Sequence, residues 1–302
     1  SLLLVVRKQY DHMVNDHPGY NPENLAYVYI GAVDSTGRAK LIEETQRLPE
    51  VDAITTCYNL PFWGASGNNV YLPGDDRELF NIADLYDVGN DYLNVLEIPI
   101  VEGQYFTENT TSSQEILVSR DFIEYMKPFA DWKDGAVGKT VQITGHDTKS
   151  ESMPLFTIRG VFENFRLGSI AAEDPRAKIM FYTKGAAQHM VIRYHSLSSE
   201  ALRKTQDLMG QLIPDKELNV ISFKSEMLEG YTSSRKFRDS VMIGGIVTLL
   251  IVFIGLIGYT NDEVNRRRKE MAILKINGAT VKDILHIFLK DIITMALPAI
   301  LL

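Results

Sequence analysis

The chain has 302 residues, 45% hydrophobic and 23% charged, with a net charge of −8 and a single cysteine. One cysteine excludes an internal disulfide framework and a multi-cysteine metal site, and the acidic balance argues against nucleic acid as a partner. The mean hydropathy of −0.08 conceals a split, because residues 240–261 carry no charged side chain while the long stretch before them is ordinary polar protein.

In chain order, SLLLVV turns polar at Arg7, so residues 1–6 read as the end of a preceding transmembrane helix and the chain as a portion of a longer membrane protein. RKQYDHMVNDHPGYNPENL has no sustained apolar period and carries two prolines and a glycine, the composition of a linker. LAYVYI (25–30) is apolar on both faces, as a buried strand requires. Ser35 or Thr36 can cap a helix that puts Leu41, Ile42, Thr45 and Leu48 on one face and stops at Pro49. VDAITTCY (51–58) is the next strand, with Cys57 as a small core residue.

The same order of strand, helix and strand returns in HMVIRY (189–194), a helix capped by Ser198 or Ser199 with Leu202, Leu208, Met209 and Leu212, and LNVISF (218–223). Two such units assemble into a split βαβ sheet with helices on one face. Residues 24–58 and 189–223 are therefore expected to form a membrane-proximal βαβ lobe, and 59–185 an inserted β-rich lobe. Strand candidates in the insertion are EILVS (115–119), KTVQI (139–143), LFTIRGVF (155–162) and KIMFYT (178–183), with one helix at RDFIEYMKPF whose face is Phe122, Ile123 and Met126.

From Ser225 the pattern turns helical through Met227, Leu228, Tyr231 and Phe237, and 225–239 reads as a stalk helix leading out of an outer domain of residues 7–239. The uncharged run that follows is about 33 Å long at ~1.5 Å per residue, enough to cross a hydrocarbon core of about 30 Å. Within it Gly244, Thr248 and Gly255 fall on nearly one side, a small-residue face where a second helix can pack closely. From Asp262 onward there are seven Lys or Arg against five acids, +2, which leaves −10 for the rest. Basic residues beside a span favour the cytoplasmic side, so 262–283 is expected in the cytoplasm and the acidic part outside.

Several motifs fail on spacing. Gly135-Ala-Val-Gly138-Lys139-Thr140 resembles a phosphate loop, but Lys133 stands where the first glycine is required. Gly64-Ala65-Ser66-Gly67 is followed by Asn68 instead of the last glycine of a nucleophile elbow. The histidines at 12, 17, 146, 189, 195 and 286 form no HExxH and no helical i, i+4 pair. Asn109-Thr110-Thr111 would accept a glycan only in a eukaryotic secretory pathway, which nothing else supports. No cofactor is expected in this chain.

After the span, Arg266, Arg267, Arg268 and Lys269 suit anionic lipid headgroups. Anchoring alone does not account for Glu270–Thr280, which reads as a short amphipathic helix with Met271 and Leu274 on one side, stopped by Gly278. Thr280, with Asp283 three residues on, caps a further helix through Ile284, Leu285 and Phe288, and 284–302 reads as the start of the next transmembrane helix.

The run R-R-R-K-E-M-A-I-L-K-I-N-G-A-T after an apolar span resembles the signature of MacB/FtsX-type ABC transporter permeases, matched at Arg268, Glu270, Ala272, Ile273, Lys275, Gly278, Ala279 and Thr280. NDHPGYNPENLAYVYI and IRGVFENFRLGSI are similar to the same family. The resemblance implies an α+β fold: a two-lobed periplasmic core domain, one lobe porter-like and one β-rich, attached to transmembrane α-helices in a bacterial inner membrane that the full protein crosses several times. It implies a non-catalytic permease subunit whose partners are a cytoplasmic ABC ATPase subunit, a second permease copy or half, membrane lipids and a periplasmic protein or substrate. It also implies conformational work in the periplasm, of the kind used in efflux, lipoprotein extraction or hydrolase regulation. The expected ATPase-coupling residues are Arg268, Glu270, Met271, Leu274, Lys275 and Gly278. A membrane-anchored sensor or ligand-binding receptor is the alternative from another class. A tethered extracytoplasmic enzyme is disfavoured by the failed motifs.

Overall fold

The computed structural model describes residues 4–8, 11, 17–85, 88–106, 114–144, 153–169, 172–182, 187–229, 232–286 and 290. The Asn109-Thr110-Thr111 triplet, His12, His146, Tyr231, Phe288 and residues 291–302 lie outside them. The chain divides into two units, one holding the described residues between Lys8 and Arg235, the other those before and after.

In the larger unit, β1 (Leu25–Tyr29), β2 (Val51–Cys57), β12 (His189–Tyr194) and β13 (Ile221–Ser222) form a four-stranded sheet in the order β13-β1-β12-β2. Every neighbour pair is antiparallel, so β1 and β2 run parallel with β12 between them. This is the split βαβ arrangement, with α1 (Ser35–Gln46) and α4 (Ser199–Leu212) as its two helices. Alternation sends Ala26, Val28, Ile30, Met190, Ile192 and Tyr194 to the face that packs Leu41 of α1 and Ala201 and Met209 of α4. The cap of α1 is Asp34, whose carboxylate accepts the Gly37 amide at 2.7 Å, in place of the expected Ser35 or Thr36. Ser198 caps α4 as expected, accepting from the Ala201 amide.

The opposite face carries Leu25, Tyr27, Cys57 and Val191, and it packs α2 (Tyr92–Leu96) together with Leu117 and Met180 of the second sheet. Tyr20 lies fully buried in this layer, so the segment expected as a linker contributes an anchor to the core. The layer also holds a charged residue, Arg193, whose side chain is only 9% exposed. Its Nε donates to Val95 O at 2.6 Å, Nη2 to Asn21 O at 3.1 Å, and Nη1 pairs with Glu97 Oε1 at 2.9 Å.

The second sheet comprises β3 (Ser66–Tyr71), β4 (Phe80–Leu85), β5 (Ile100–Gly103), β6 (Glu115–Ser119), β7 (Thr140–Ile143), β8 (Leu155–Phe162) and β11 (Ala177–Phe181). Its order is β5-β8-β6-β11-β4-β3-β7, and a further β7–β8 pairing closes it into a barrel. Val70, Ile116, Val118, Val141, Ile143, Phe156, Ile158 and Ile179 fill the inside, sealed by Phe122 and Met126 of α3 (Arg120–Met126). A small hairpin of β9 (Leu167–Ser169) and β10 (Ala172–Asp174) sits beside it, and Arg176 fixes that region by pairing with Asp174 and donating to Ile82 O and Ala65 O.

LNVISF is not a full strand. Only Ile221 and Ser222 pair, and Phe223 begins α5 (Phe223–Glu229). The Gln206 side chain on α4 instead bonds both Leu218 O and the Val220 amide, satisfying backbone groups that a longer strand would have paired.

Truncating Arg193 leaves buried carbonyls without donors, so Arg193→Ala is expected to lower stability by about 3 kcal/mol. Arg193→Lys should recover little of it, because one ammonium cannot serve carbonyls on two sides. Chemical denaturation of the purified protein measures both, and a loss near zero would contradict the role.

His189 lies against Trp63 at 5.2 Å between ring centroids, and its Nδ1–H donates to Tyr58 O at 2.7 Å. Burial pulls its pKa below the ordinary 6.5, only partly opposed by the Tyr58 bond. The unfolded chain therefore takes up a proton that the folded one does not, so stability is intact above about pH 6.5 and falls as the pH drops below it. Melting followed by tryptophan fluorescence should show that fall, and His189→Asn, which keeps a donor without titrating, should flatten it.

Candidate functional site

The smaller unit is dominated by α6 (Thr232–Arg266), whose uncharged stretch is long and apolar enough to cross a membrane and has no part buried within the protein. Ile254, for example, is 70% exposed. Hydroxyls inside the stretch turn back onto the helix: Thr248 Oγ1 donates to Gly244 O at 2.8 Å and Thr260 Oγ1 to Leu256 O at 2.7 Å. No polar side-chain proton is thereby left facing hydrocarbon at these positions. A methyl group added at Gly244 or Gly255 would meet nothing within 4 Å, so the expected small-residue face is an open surface of this chain.

The end of the helix is shaped by an acid and an arginine one turn apart. Glu263, almost fully buried, accepts from Arg267 Nε at 2.5 Å and lies 3.8 Å from Arg266. Helical geometry lapses at Arg267, with φ −94° and ψ +10°, and a new helix, α7 (Arg268–Ile276), begins at once. Sequence reasoning assigned Arg267 only to the headgroup-facing basic run and passed over Glu263 and the pairing between the two. Their signal is an acid four residues before an arginine, the favourable order on a helix.

Five of the expected coupling residues, Arg268, Glu270, Met271, Leu274 and Lys275, lie on α7. Glu270 is in its first turn and Lys275 in its last, both matched to the helix dipole. Gly278 sits just beyond with φ +88°, its amide bonding Lys275 O while the Ala279 amide bonds Leu274 O. These two bonds form a Schellman motif, which needs the left-handed residue at that place. Thr280 and Asp283 then bond reciprocally: the Thr280 amide and hydroxyl reach Asp283 Oδ2 at 2.9 and 2.6 Å, and the Asp283 amide faces Thr280 Oγ1. These bonds hold the Asp283 carboxyl below the usual carboxylate range, and residues 281–286 continue as helix. No residue of α7 is buried; Leu274 is 37% and Ile276 85% exposed.

Two loops that imitate catalytic motifs have structural explanations. The Ala136 and Val137 amides both donate to Glu102 Oε1, at 2.9 and 3.0 Å, so the turn that resembles a phosphate loop is filled by the protein's own carboxylate. Ser66 begins β3, paired with Asp84, and lies on no strand-to-helix elbow. Among the described residues no three His, Cys, Asp or Glu side chains cluster as metal ligands would.

Residues 2–214 match the MacB-like periplasmic core domain, and residues 242–302 the FtsX-like permease C-terminal region. The uncharacterized ABC transporter permease YvrN of Bacillus subtilis (strain 168) is 22% identical over 301 residues, covering 92% of this chain and 70% of that protein. Among solved structures, the periplasmic region of MacB from Actinobacillus actinomycetemcomitans is 12% identical, covers 72% of this chain and 96% of its own, and superposes with a TM-score of 0.48. The extracellular domain of the noncanonic ABC-type transporter YknZ from Gram-positive bacteria is 11% identical, covers 66% of this chain and 100% of its own, with a TM-score of 0.43.

Because Gly278 holds a left-handed conformation in open space, Gly278→Ala should cost about 1 kcal/mol through backbone strain alone. Gly278→Asn should cost less. Hydrogen exchange at the Gly278 and Ala279 amides reads the effect, and equal protection in all three proteins would show that the turn does not depend on glycine.

Proposed function

Since the chain belongs to the ABC transporter permeases that join a MacB-like periplasmic core domain to an FtsX-like C-terminal region, we propose that it is a non-catalytic permease subunit coupling ATP hydrolysis by a separate cytoplasmic ATPase to conformational work in the periplasm. The observation that supports this reading is α7, a short helix capped at its C-terminal end, placed directly after the apolar helix and exposing Leu274 and the side it shares with Met271. A helix that only anchored the protein at the headgroups would need its basic residues alone.

In this reading Arg266–Lys269 hold the junction on the cytoplasmic side. Met271 and Leu274 seat in the ATPase, with Arg268, Glu270 and Lys275 as polar contacts around them. The Gly278 turn and the Thr280–Asp283 box stiffen the segment, so that a displacement of α7 reaches α6 instead of dissipating in a loose loop. Glu263 and Arg267 set the angle at which the displacement is delivered. Gly244, Thr248 and Gly255 offer the side on which a second permease copy or half approaches. ATP supplies the free energy in the partner, and the periplasmic domain performs work on a substrate or protein outside the membrane.

Met271→Asp combined with Leu274→Asp places two charges in the apolar seat. With the ATPase present, permease-stimulated hydrolysis should fall to the level of the ATPase alone while the protein still enters the membrane fraction. Full stimulation by the double variant would refute the coupling assignment.

A further inference from the structure

The outer domain contains a cavity of about 460 Å³ that the coupling reading does not use. Its walls include Asp121 of α3, Arg166 from the loop after β8, Glu173 of β10 and Lys178 of β11. Alternation along β11 explains the lysine. Ala177, Ile179 and Phe181 fill the barrel interior, while Met180 points the other way into the layer between the sheets. Lys178 shares that outward side one pair earlier, where the layer gives way to the cavity.

Lys178 is costly at this position, its side chain being only 3% exposed. Its ammonium donates to Arg176 O at 3.1 Å and lies 3.5 Å from Asp121 Oδ2, which leaves one of its three N–H directions without a partner among the described residues. Asp121 is committed through its other oxygen to the Ser119 hydroxyl, and its amide is held by Asn164 Oδ1 at 2.9 Å. Glu173, on the same cavity, is exposed and makes no ion pair among the described residues. One wall thus offers a buried cationic donor, and another an uncommitted carboxylate.

A ligand of one charge would satisfy only one of these walls. We propose that the cavity binds a small zwitterion of the amino-acid class, its carboxylate accepting from Lys178 beside the positive Arg166 and its ammonium set against Glu173 and Asp121. A space of a few hundred cubic ångströms is in the range of small-molecule sites, and it leaves room for a side chain beyond the two charged groups.

The test is isothermal titration of the full chain in detergent with each of the twenty α-amino acids. At least one should bind, and its decarboxylated amine and its N-acetyl derivative should each bind about tenfold more weakly or worse. Glu173→Gln, an exposed change that leaves the fold intact, should weaken the amino acid about tenfold but leave its N-acetyl derivative unaffected. Lys178→Met should abolish binding. The proposal fails if no amino acid binds at millimolar concentration, or if the N-acetyl derivative binds as tightly as the parent. It fails equally if Glu173→Gln binds like the unaltered protein, a result that stands whether or not Lys178→Met folds.

Discussion

A guanidinium buried between two sheets constrains how the outer domain can be built. Arg193 projects from β12, the strand between β1 and β2, into an apolar layer that includes Tyr20, Tyr27, Tyr92 and Leu96. A charge there is tolerable only if its donors are used, and the groups that use them come from segments far apart in sequence. Helix α2 depends on this arrangement. It has only five residues and no side-chain cap, so each of its last four carbonyls must find a donor. Leu93 O takes the Ile98 amide, Asn94 O the Glu97 amide, Leu96 O the Asn21 amide, and Val95 O the Arg193 side chain. The entry segment, the inserted helix and the central strand are therefore closed by one set of hydrogen bonds. Glu97 accepts a left-handed backbone, φ 58°, at the place where its carboxylate reaches both Arg193 and Asn21.

The membrane-facing half obeys a different rule. Along residues 240–261 of α6 no side chain is charged, and the hydroxyls of Thr248 and Thr260 that interrupt the apolar run are satisfied by the helix itself, as hydrocarbon requires. At Glu263 the rule changes within one turn to ion pairs and reciprocal caps. Lipid anchoring requires only positive charge near the interface. The Schellman turn and the capping box instead fix backbone geometry over residues 274–283, which the proposed coupling uses as a firm surface for a partner.

The same physics decides how much of the protein could be read from its sequence. β1 is a run of apolar residues buried on both faces, β12 is buried along its whole length, and β2 is a β-branched run of which Val51, Thr55 and Cys57 are buried; α1 and α4 have aspartate or serine at their starts, so pattern and capping both betray them. β3, with Ser66, Gly67, Asn68 and Asn69, and the three-residue β9 and β10 carry no such pattern. Their pairing comes from barrel closure and from Arg176, which joins Asp174 to Ala65 O and Ile82 O. LNVISF had the composition of a strand, but Gln206 took its backbone groups first. Nothing in HMVIRY or KIMFYT marks Arg193 or Lys178 as buried, since their partners include backbone carbonyls and a sequence pattern does not announce a carbonyl. The turn and cap at residues 274–283 were legible because caps are local: Gly278, Thr280 and Asp283 act within a few residues of one another.

The loop at Gly135–Thr140 shows why local motifs need their surroundings. Its left-handed glycines, Gly135 and Gly138, do turn backbone amides toward a common point, and that arrangement attracts an anion. The anion is Glu102, carried on β5, which stitches the turn before β7 to the edge of the barrel. Gly135 has φ +98°, a conformation that L side chains rarely adopt, and a methyl group there would also come 2.5 Å from the same carboxylate, so the internal geometry accounts for the glycine. The glycines that make the segment look like a nucleotide loop are thus explained by barrel construction. With that turn occupied by the protein's own carboxylate, the proposed coupling brings the energy of ATP to the chain through contact with another protein, and the segment with exposed apolar side chains and fixed ends available for such contact is α7.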